Sequence, residues 1–330
     1  MKEGTGATRA RPLGYAQRDV EGAATIKIHL DTDLGGDTDD LCALALLLKW
    51  PGVEITGITT VAEYEGRRAG YTRYALALAG RPDIPVAAGA DVSCGRYRSA
   101  PVLPREDAYW PEPVAPAPTP MADALALLKR SVEAGTRVVA IGPYTNLALL
   151  DEAYPGLLAR ADLYLMGGHL HPMPVGFPQW DNTSDWNVQY DVTSARRIFE
   201  RYSPTLIPIE VSAQTALRRA YLPALRASGP LGQLLARQAE AIADDEKMEE
   251  IYGRACAEIP NDILNFQHDP LACAVALGWD GVTIESIRVG TEMRDGWLYE
   301  RVDEGGRVMR VITAVEGARF SDFWLSLVTA

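Results

Sequence analysis

Apolar and polar positions along the chain follow a rhythm typical of strands that alternate with helices. Short runs rich in β-branched residues predict buried strands at 25–30, 53–61, 84–88, 138–141, 163–166 and 206–211. Longer apolar segments of good helix formers predict helices at 41–49 and 67–79, and helical patterns separate the later strands. This alternation predicts a mostly parallel sheet with helices on both faces.

The last fifty residues follow a different pattern. Strand-like runs at 282–289 and 307–315 are predicted to be antiparallel, and a short helix is predicted from Phe320. We therefore predict an α/β fold with a single domain over residues 25–330. Its mostly parallel, Rossmann-like open sheet is followed by C-terminal antiparallel strands. Residues 1–24, with interspersed Gly, Ala, Arg and acids, are predicted to be a flexible leader.

Two segments interrupt the rhythm and are predicted to be loops. The first, 101–120, has seven prolines in twenty residues and resembles a lid. The second, 169–187, is rich in Pro, Gly and aromatic residues. Aromatic side chains in or beside these loops are candidates for stacking on a flat ligand, the alternative being that they pack the loops down. They are Trp110, Phe177, Trp180, Trp186 and Tyr190; we favour Trp186 and one of Tyr109 or Trp110.

Composition narrows the classes of function. The chain has 44 acidic against 32 basic residues, a formal charge of −12, which argues against binding a polynucleotide. The longest apolar run, 41–48, is far shorter than a membrane span. Four widely spaced cysteines form no metal-binding motif, and Cys42 and Cys273 lie in apolar helical patterns that predict buried free thiols. A cytoplasmic protein is predicted.

The densest chemistry lies directly after the first predicted strand. Five carboxylates fall within ten residues, at Asp31, Asp33, Asp37, Asp39 and Asp40. Carboxylates this close repel one another unless a cation compensates, and hard oxygen ligands at a Gly-containing turn suit Ca²⁺ or Mg²⁺. The alternative is a solvated acidic turn in which Asp39 or Asp40 caps the next helix.

Two other classes of metal-using protein can be weighed against this turn. An EF-hand needs a glutamate at loop position twelve, but counting from Asp31 reaches Cys42, which excludes that class. A phosphatase that uses Mg²⁺, with Asp31 or Asp33 as nucleophile, stays open as an alternative.

The acidic turn resembles the D-x-D-x-G…D-D-x-x-A signature of the nucleoside hydrolases, the inosine–uridine type N-ribohydrolases. Further motifs of this family recur in order: ITTV at 58–61, RPDIPV at 81–86, GPYTNLA at 142–148, MGG at 166–168, DWN at 185–187 and HDPLA at 268–272. Each motif is weak alone, but their order and spacing are highly specific. The resemblance implies an enzyme that hydrolyses the N-glycosidic bond of a ribonucleoside to free base and ribose.

The resemblance also implies roles for individual residues. It implies one Ca²⁺ bound by Asp33, Asp40, the backbone oxygen of Thr145 and Asp269, with Asp33 as general base on a calcium-bound water. Nearby carboxylates would stabilise the positive charge of an oxocarbenium-like transition state. Contacts to the substrate are implied for Asp39, Asp185 and Asn187, where Asp185 stands at a position usually occupied by glutamate; Trp186, between them, is the stacking candidate named above. A homodimer or homotetramer is implied as well.

The resemblance assigns His268, which precedes Asp269, to proton delivery to the departing base; the alternative is a packing role at a helix start. The other histidines are predicted to play lesser parts. His29 lies in a buried-type strand and is predicted to be structural. His169 and His171 are either lid residues or solvated loop residues.

The sequence departs from the family pattern on the sugar side of the site. The family usually has Gly-Asn after the second strand, and its asparagine touches the ribose; here Ala62-Glu63-Tyr64-Glu65 follows Val61. A second Gly-Asn is also missing, and Asp181 or Asn182 is a candidate replacement. These changes keep open a third hypothesis, a nucleoside- or ribose-binding protein without catalysis on the same fold.

Overall fold

A nine-stranded sheet forms the centre of the protein in the computed structural model, which describes residues 25–94 and 106–330. The strands of the described chain are β1 (Ile26–Thr32), β2 (Val53–Thr60), β3 (Val86–Ala88), β4 (Arg137–Ala140), β5 (Asp162–Met166), β6 (Thr205–Ile207), β7 (Ala216–Arg218), β8 (Ile263–Phe266), β9 (Val282–Arg294), β10 (Trp297–Val302) and β11 (Arg307–Val315). The predicted leader at 1–24 and residues 101–105 of the proline-rich loop lie outside the described residues.

Helices connect the strands. They are α1 (Asp39–Lys49), α2 (Arg67–Leu78), α3 (Glu106–Tyr109), α4 (Met121–Glu133), α5 (Thr145–Ala153), α6 (Trp186–Tyr190), α7 (Val192–Arg201), α8 (Ile209–Ser212), α9 (Leu222–Ala227), α10 (Pro230–Asp245), α11 (His268–Ala276) and α12 (Gly317–Val328). Single 3₁₀ turns occur at Leu157–Arg160, Asn182–Ser184 and Arg219–Tyr221, and a π-helical turn at Glu249–Gly253.

The sheet order confirms the predicted fold class. It runs β10-β9-β11-β6-β5-β4-β1-β2-β3; the strands from β3 to β11 pair in parallel, whereas β9 pairs antiparallel with both β10 and β11. A separate antiparallel pair joins β7 to β8. In the nine-stranded sheet the antiparallel pairs are the C-terminal ones, as the change of pattern there indicates.

Alternate residues of the central strands enter two different hydrophobic cores. On β4, Val139 packs into one core together with α1, α10 and α11, while Val138 packs into the other with α4, α5 and α7. Since successive side chains of a strand point to opposite faces, the two cores lie on the two sides of the sheet. Both faces are therefore covered by helices, which explains why the central strands are almost continuously apolar.

Two predicted boundaries are wrong. The run 206–211 was expected to be one strand, but β6 ends at Ile207 and α8 begins at Ile209. Pro208, which lies between them, has no N–H to donate to a ladder. In the proline-rich loop, residues 106–109 between two prolines form the single turn α3, and residues 111–120 have no regular structure.

The topology brings two chain segments to one crevice. β1 and β4 are neighbours although two strands separate them in sequence, so the strand order reverses direction between them. Ligands bind outside the carboxyl ends of parallel strands at such a switch point. The acidic turn follows β1 there, and the GPYTN segment follows β4. No helix of the described chain has the length and apolar character that crossing a membrane requires.

Candidate active site

A pocket of ≈ 640 Å³ opens at the carboxyl ends of the parallel strands. The acidic turn and the Trp186 segment line one part of it, and the end of α10, β8 and the start of α11 line another. Of the nine residues predicted for the site, eight line this pocket: Asp33, Asp39, Asp40, Asp185, Trp186, Asn187, His268 and Asp269. Motifs that are far apart in sequence thus meet in one cavity.

Three buried carboxylates form the tightest acidic group of the pocket. One ligand oxygen from each of Asp39, Asp40 and Asp269 lies within 4.8 Å of the others. Burial, and repulsion from neighbouring aspartates, raise the pKa of each group well above its usual range. Thr32 donates its hydroxyl to Asp40 and so fixes one of the three. An all-oxygen set of this charge fits a hard divalent cation.

Asp33 lies beside this group and is 9% exposed. The indole Nε1 of Trp186 donates a hydrogen bond to its Oδ2 at 3.3 Å. Burial raises the pKa of Asp33, while attraction to Arg68 and the Trp186 hydrogen bond oppose the rise. Gly142 allows the close approach of this aspartate, because a Cβ at position 142 would lie 2.9 Å from both the backbone nitrogen and Oδ1 of Asp33.

Asp31 and Asp37 have structural partners. Asp31 is fully buried, accepts hydrogen bonds from Thr59 and from Asn146 Nδ2, and its pKa is raised by burial to about 7. It does not line the pocket. Asp37 lines the pocket and accepts a hydrogen bond from Asn265. The Asp31 carboxylate is therefore not accessible to a substrate in the pocket, which argues against Asp31 as a nucleophile.

Asn146 braces the base of the pocket. Its Nδ2 donates to Asp31 at 2.7 Å and to the Thr60 carbonyl at 2.9 Å, and its Oδ1 accepts from the Ala90 backbone at 3.0 Å. One amide at the start of α5 thereby joins the ends of β1, β2 and β3. The neighbouring Thr145 does not line the pocket, and its hydroxyl donates to Asp191 at 2.8 Å. The Thr145 carbonyl ligand stays a prediction.

His268 lies at the start of α11, between Trp180 and Phe266, whose rings are 6.1 and 5.4 Å from the imidazole. Its Nδ1 is 2.8 Å from the Ser212 hydroxyl. Burial lowers the pKa of His268 to about 4, so the ring is neutral near pH 7. The Ser212 hydroxyl donates its one hydrogen to the Pro208 carbonyl at 3.1 Å, so it accepts from Nδ1–H of His268, and Nε2 of the neutral ring is an acceptor.

The residues of the DWN motif have backbone partners. Asp185 caps α6 through Val188 N at 3.0 Å and also accepts from Gly168 N. The amide of Asn187 donates to the Ile141 carbonyl at 2.8 Å, which leaves its Oδ1 for the pocket. Asp181 and Asn182, the suggested replacements for a missing sugar contact, do not line the pocket: Asp181 caps a 3₁₀ turn and Asn182 donates to Glu300.

The aromatic candidates separate into lining and packing residues. Tyr109 lines the pocket and its hydroxyl is 3.1 Å from Asp245, whereas Trp110 is buried and stacks on Tyr71 at 4.3 Å. Of the two, Tyr109 is therefore the one at the site. Trp180 and Trp186 also line the pocket, but Phe177 and Tyr190 do not. Sequence reasoning missed several lining residues because they carry no motif: Arg68, Ile242, Met248, Tyr252, Asn265 and Phe266.

The remaining histidines lie away from the pocket. His29 is fully buried between Ser131 and Thr59, at 2.8 and 3.0 Å, and burial lowers its pKa to about 3. Its predicted structural role is confirmed. Neither His169 nor His171 lines the pocket, so the lid contact suggested for them finds no support in the described residues.

The fold and the pocket define an open-sheet α/β enzyme with an acidic ligand site at the switch point. The sequence profile of the inosine-uridine preferring nucleoside hydrolase family matches residues 28–322, and the chain belongs to this family. It is accordingly an enzyme that hydrolyses the N-glycosidic bond of ribonucleosides, as the motifs predict. Membership favours this reaction over the two alternatives of a phosphatase and of a binding protein without catalysis.

Individual relatives agree with this family. The pyrimidine-specific ribonucleoside hydrolase RihA of Salmonella agona is 27% identical over 284 residues, which cover 81% of this chain and 84% of the relative. Two solved structures share the fold. A plant nucleoside hydrolase, PpNRh1, has a TM-score of 0.73 at 20% identity, with 93% of this chain and 99% of that one covered. A purine-preferring ribonucleoside hydrolase from Gardnerella vaginalis has a TM-score of 0.73 at 22% identity, with 92% and 98% covered.

A buried carboxyl behind the pocket leads to a prediction about stability. Glu300 accepts hydrogen bonds from Asn182 and from His169 N, and burial, with repulsion from Asp185, raises its pKa to about 8. Because the folded-state pKa exceeds the unfolded value, the stability it contributes is lost as the pH rises through about 8. We expect Glu300→Gln to gain at least about 1 kcal/mol relative to the original protein between pH 5 and pH 8.5.

Denaturant unfolding at the two pH values measures this difference. The exposed Glu304, on the same hairpin, supplies the control variant Glu304→Gln. The same pH dependence in both variants would contradict the prediction.

Proposed function

We propose that the protein hydrolyses ribonucleosides with the help of one bound Ca²⁺, and that Asp33 is the general base. The observation that carries this proposal is the placement of Asp33 beside the buried carboxylate group of Asp39, Asp40 and Asp269 in one pocket. Such a group is unfavourable without a cation, and Asp33 is an accessible base at its edge.

The chemistry of the donors supports the choice of metal. Asp40 and Asp269 would hold the ion, with Asp33 or Asp39 and the Thr145 carbonyl as further ligands. Carboxylate and carbonyl oxygens on a glycine-containing turn suit Ca²⁺, which accepts flexible coordination, better than a metal that prefers nitrogen or sulfur. When bound, the ion would orient sugar hydroxyls and acidify water.

The residues of the chain would carry the proton transfers. Asp33 accepts a proton from the attacking water, held in position by the Trp186 indole. The ribosyl group becomes positively charged as the C–N bond lengthens, and the surrounding carboxylates stabilise that charge. His268, whose ring Ser212 holds at Nδ1, would donate a proton from its imidazolium form at Nε2 to the leaving base and return to the neutral ring. Asp39, Asp185 and Asn187 are proposed to contact the sugar.

We propose no single nucleobase for the substrate, because of the side chains that line the pocket. An aromatic wall of the pocket is formed by Tyr109, Trp180, Tyr252 and Phe266, side chains suited to stacking on a nucleobase. Aromatic stacking discriminates weakly between bases. The named relatives likewise prefer pyrimidines in one case and purines in another. The cytoplasmic location and the homodimer or homotetramer stay predictions.

A panel of purine, pyrimidine and modified ribonucleosides tests the proposal. The protein is stripped with a chelator, then assayed for release of free base with Ca²⁺, with Mg²⁺ and without metal. We expect release that depends on Ca²⁺. Release that is equally fast in the chelated protein would overturn the metal dependence, and no release from any nucleoside with Ca²⁺ present would overturn the assigned reaction.

The indole of Trp186 is predicted to support the base. Trp186→Phe keeps an aromatic ring but removes the N–H that reaches Asp33. We expect kcat to fall roughly tenfold, since hydrogen bonds to charged groups are worth about 1.5–3 kcal/mol. Initial rates of base release at saturating nucleoside measure the effect.

Trp324→Phe is the matched control. It removes an indole hydrogen bond to the Cys42 carbonyl at 3.0 Å in the core, away from the pocket. It should change the melting temperature and not kcat. Equal kcat in the two variants would show that the contact with Asp33 does not matter.

A further inference from the structure

One buried cation faces the acidic turn without a hydrogen-bond partner for part of its guanidinium. Arg68, the second residue of α2, is 1% exposed, and its Nε donates to the Ala62 carbonyl at 2.8 Å. Its Nη1 is buried and has no partner. Arg68 is also the only Lys or Arg among the described residues that line the pocket. A buried donor left unpaired costs free energy, so a partner is expected at this position.

The acidic turn itself does not supply that partner. No carboxylate of the described chain lies within ion-pair distance of Arg68, although its charge acts on Asp33 and Asp40. A Cβ at Gly36 would lie 3.4 Å from Nη1, so the guanidinium passes directly over the turn. This contact distance places the arginine head group against the acidic turn.

The segment before α2 explains how Arg68 comes to be there. Glu63 is buried and accepts hydrogen bonds from the backbone nitrogens of Arg68 and Ala69, at 3.1 and 2.8 Å, and from the Thr60 hydroxyl. Its carboxylate caps the start of α2 and is fully used. Tyr64 does not line the pocket. Arg68 is therefore the polar side chain that this segment offers to the site, where Ala62-Glu63 replaces a Gly-Asn pair.

We propose that Arg68 is a substrate-binding residue whose Nη1 donates to a hydroxyl oxygen of the ribose. The partner must be a hydrogen-bond acceptor, because a guanidinium only donates. A neutral hydroxyl fits better than a phosphate, since at least five carboxylates line the same pocket and would repel an anion. Arg68 thus binds the neutral sugar of a nucleoside, and the surrounding carboxylates disfavour the 5′-nucleotide. This inference rests on the proposed function.

The test compares Arg68→Met and Arg68→Lys with the original protein on one ribonucleoside, on its 2′-, 3′- and 5′-deoxy analogues, and on its 5′-phosphate. We expect Arg68→Met to lower kcat/KM on the ribonucleoside about 10- to 100-fold. On the one analogue that lacks the contacted hydroxyl, the loss should shrink to less than about threefold, because the partner is already gone. Arg68→Lys should recover part of the loss.

Arg67→Met is the matched control. Arg67 is the exposed neighbour on the same helix and does not line the pocket, so its removal should leave all four rates unchanged. Melting temperatures of the variants show whether each is folded, and Arg68→Lys serves if Arg68→Met is not.

Three results would overturn the proposal. An equal loss on all four nucleosides would show that Arg68 balances the negative charge of the carboxylates and does not bind a sugar hydroxyl. A loss confined to a nucleoside 5′-phosphate would make the partner a phosphate. No loss on any nucleoside would show that Arg68 does not contribute to substrate binding. If the original protein cleaves no nucleoside, the proposed function fails separately, and calorimetric Kd values on the same panel then decide the role of Arg68; absence of binding would overturn that role too.

Discussion

Asp33→Asn is expected to lower kcat by about 10²- to 10⁴-fold, the range typical of a lost general base. The amide keeps the shape of the side chain and can still contact the Trp186 indole through its oxygen, but it cannot accept a proton from water. KM should change much less than kcat, because the rest of the sugar site is intact. Steady-state rates of base release over a range of nucleoside concentrations measure both values.

The control for this variant is Asp123→Asn, on the exposed face of α4. It removes the same charge from the protein and should leave both kinetic values unchanged. If Asp33→Asn kept more than about a tenth of the original kcat, another group would have to be the base, and the role proposed for Asp33 would be wrong.

Asp269→Asn is expected to separate metal binding from folding. In the metal-free protein the change removes one of three buried carboxylates that repel one another, so the melting temperature should rise. Ca²⁺ at 100 times its Kd would stabilise the original protein by about 2.7 kcal/mol, which corresponds to several degrees. The variant should lose most of this Ca²⁺-induced rise, together with the activity.

Thermal melts with chelator, Ca²⁺ and Mg²⁺ measure both effects. Asp280→Asn, an exposed aspartate in the loop after α11, is the control and should keep the full response to Ca²⁺. A variant that retained the Ca²⁺-induced rise would exclude Asp269 as a ligand. If the metal-free variant were less stable than the metal-free original protein, the repulsion between the three carboxylates would have to be relieved in another way.

The sequence predicted best what depends on short segments. The acidic turn, the GPYTN motif and His268-Asp269 each end a strand or begin a helix, and the parallel topology brings such ends together. Interactions between segments that carry no sequence motif could not be predicted from the sequence. Nothing at Arg68 distinguishes a buried arginine from a solvated one, since the outcome depends on Glu63 capping α2 and on the Ala62 carbonyl that accepts from Arg68 Nε.

Two further differences have local physical causes. Tyr109 and Trp110 are adjacent on a helical turn, and one residue of rotation decides which enters the pocket and which stacks on Tyr71. The end of β6 depends on a single proline, whose effect on a buried apolar run is hard to separate from the pattern of a longer strand. The orientation of these two rings and the end of β6 depend on packing, which the periodicity of apolar residues and the composition do not determine.

The hydrogen bonds of Asn146 fix one part of the pocket, the acidic turn, and do not extend to the other part, the aromatic wall. The ends of β1, β2 and β3 are joined through one amide, so the acidic turn on which the sugar chemistry depends is fixed to the sheet. The aromatic wall is carried by Trp180, Tyr252 and α10, outside this network. Substitutions at Tyr252 or on α10 can therefore alter base preference while the acidic turn stays fixed, whereas Trp180 and Phe266 also pack against His268.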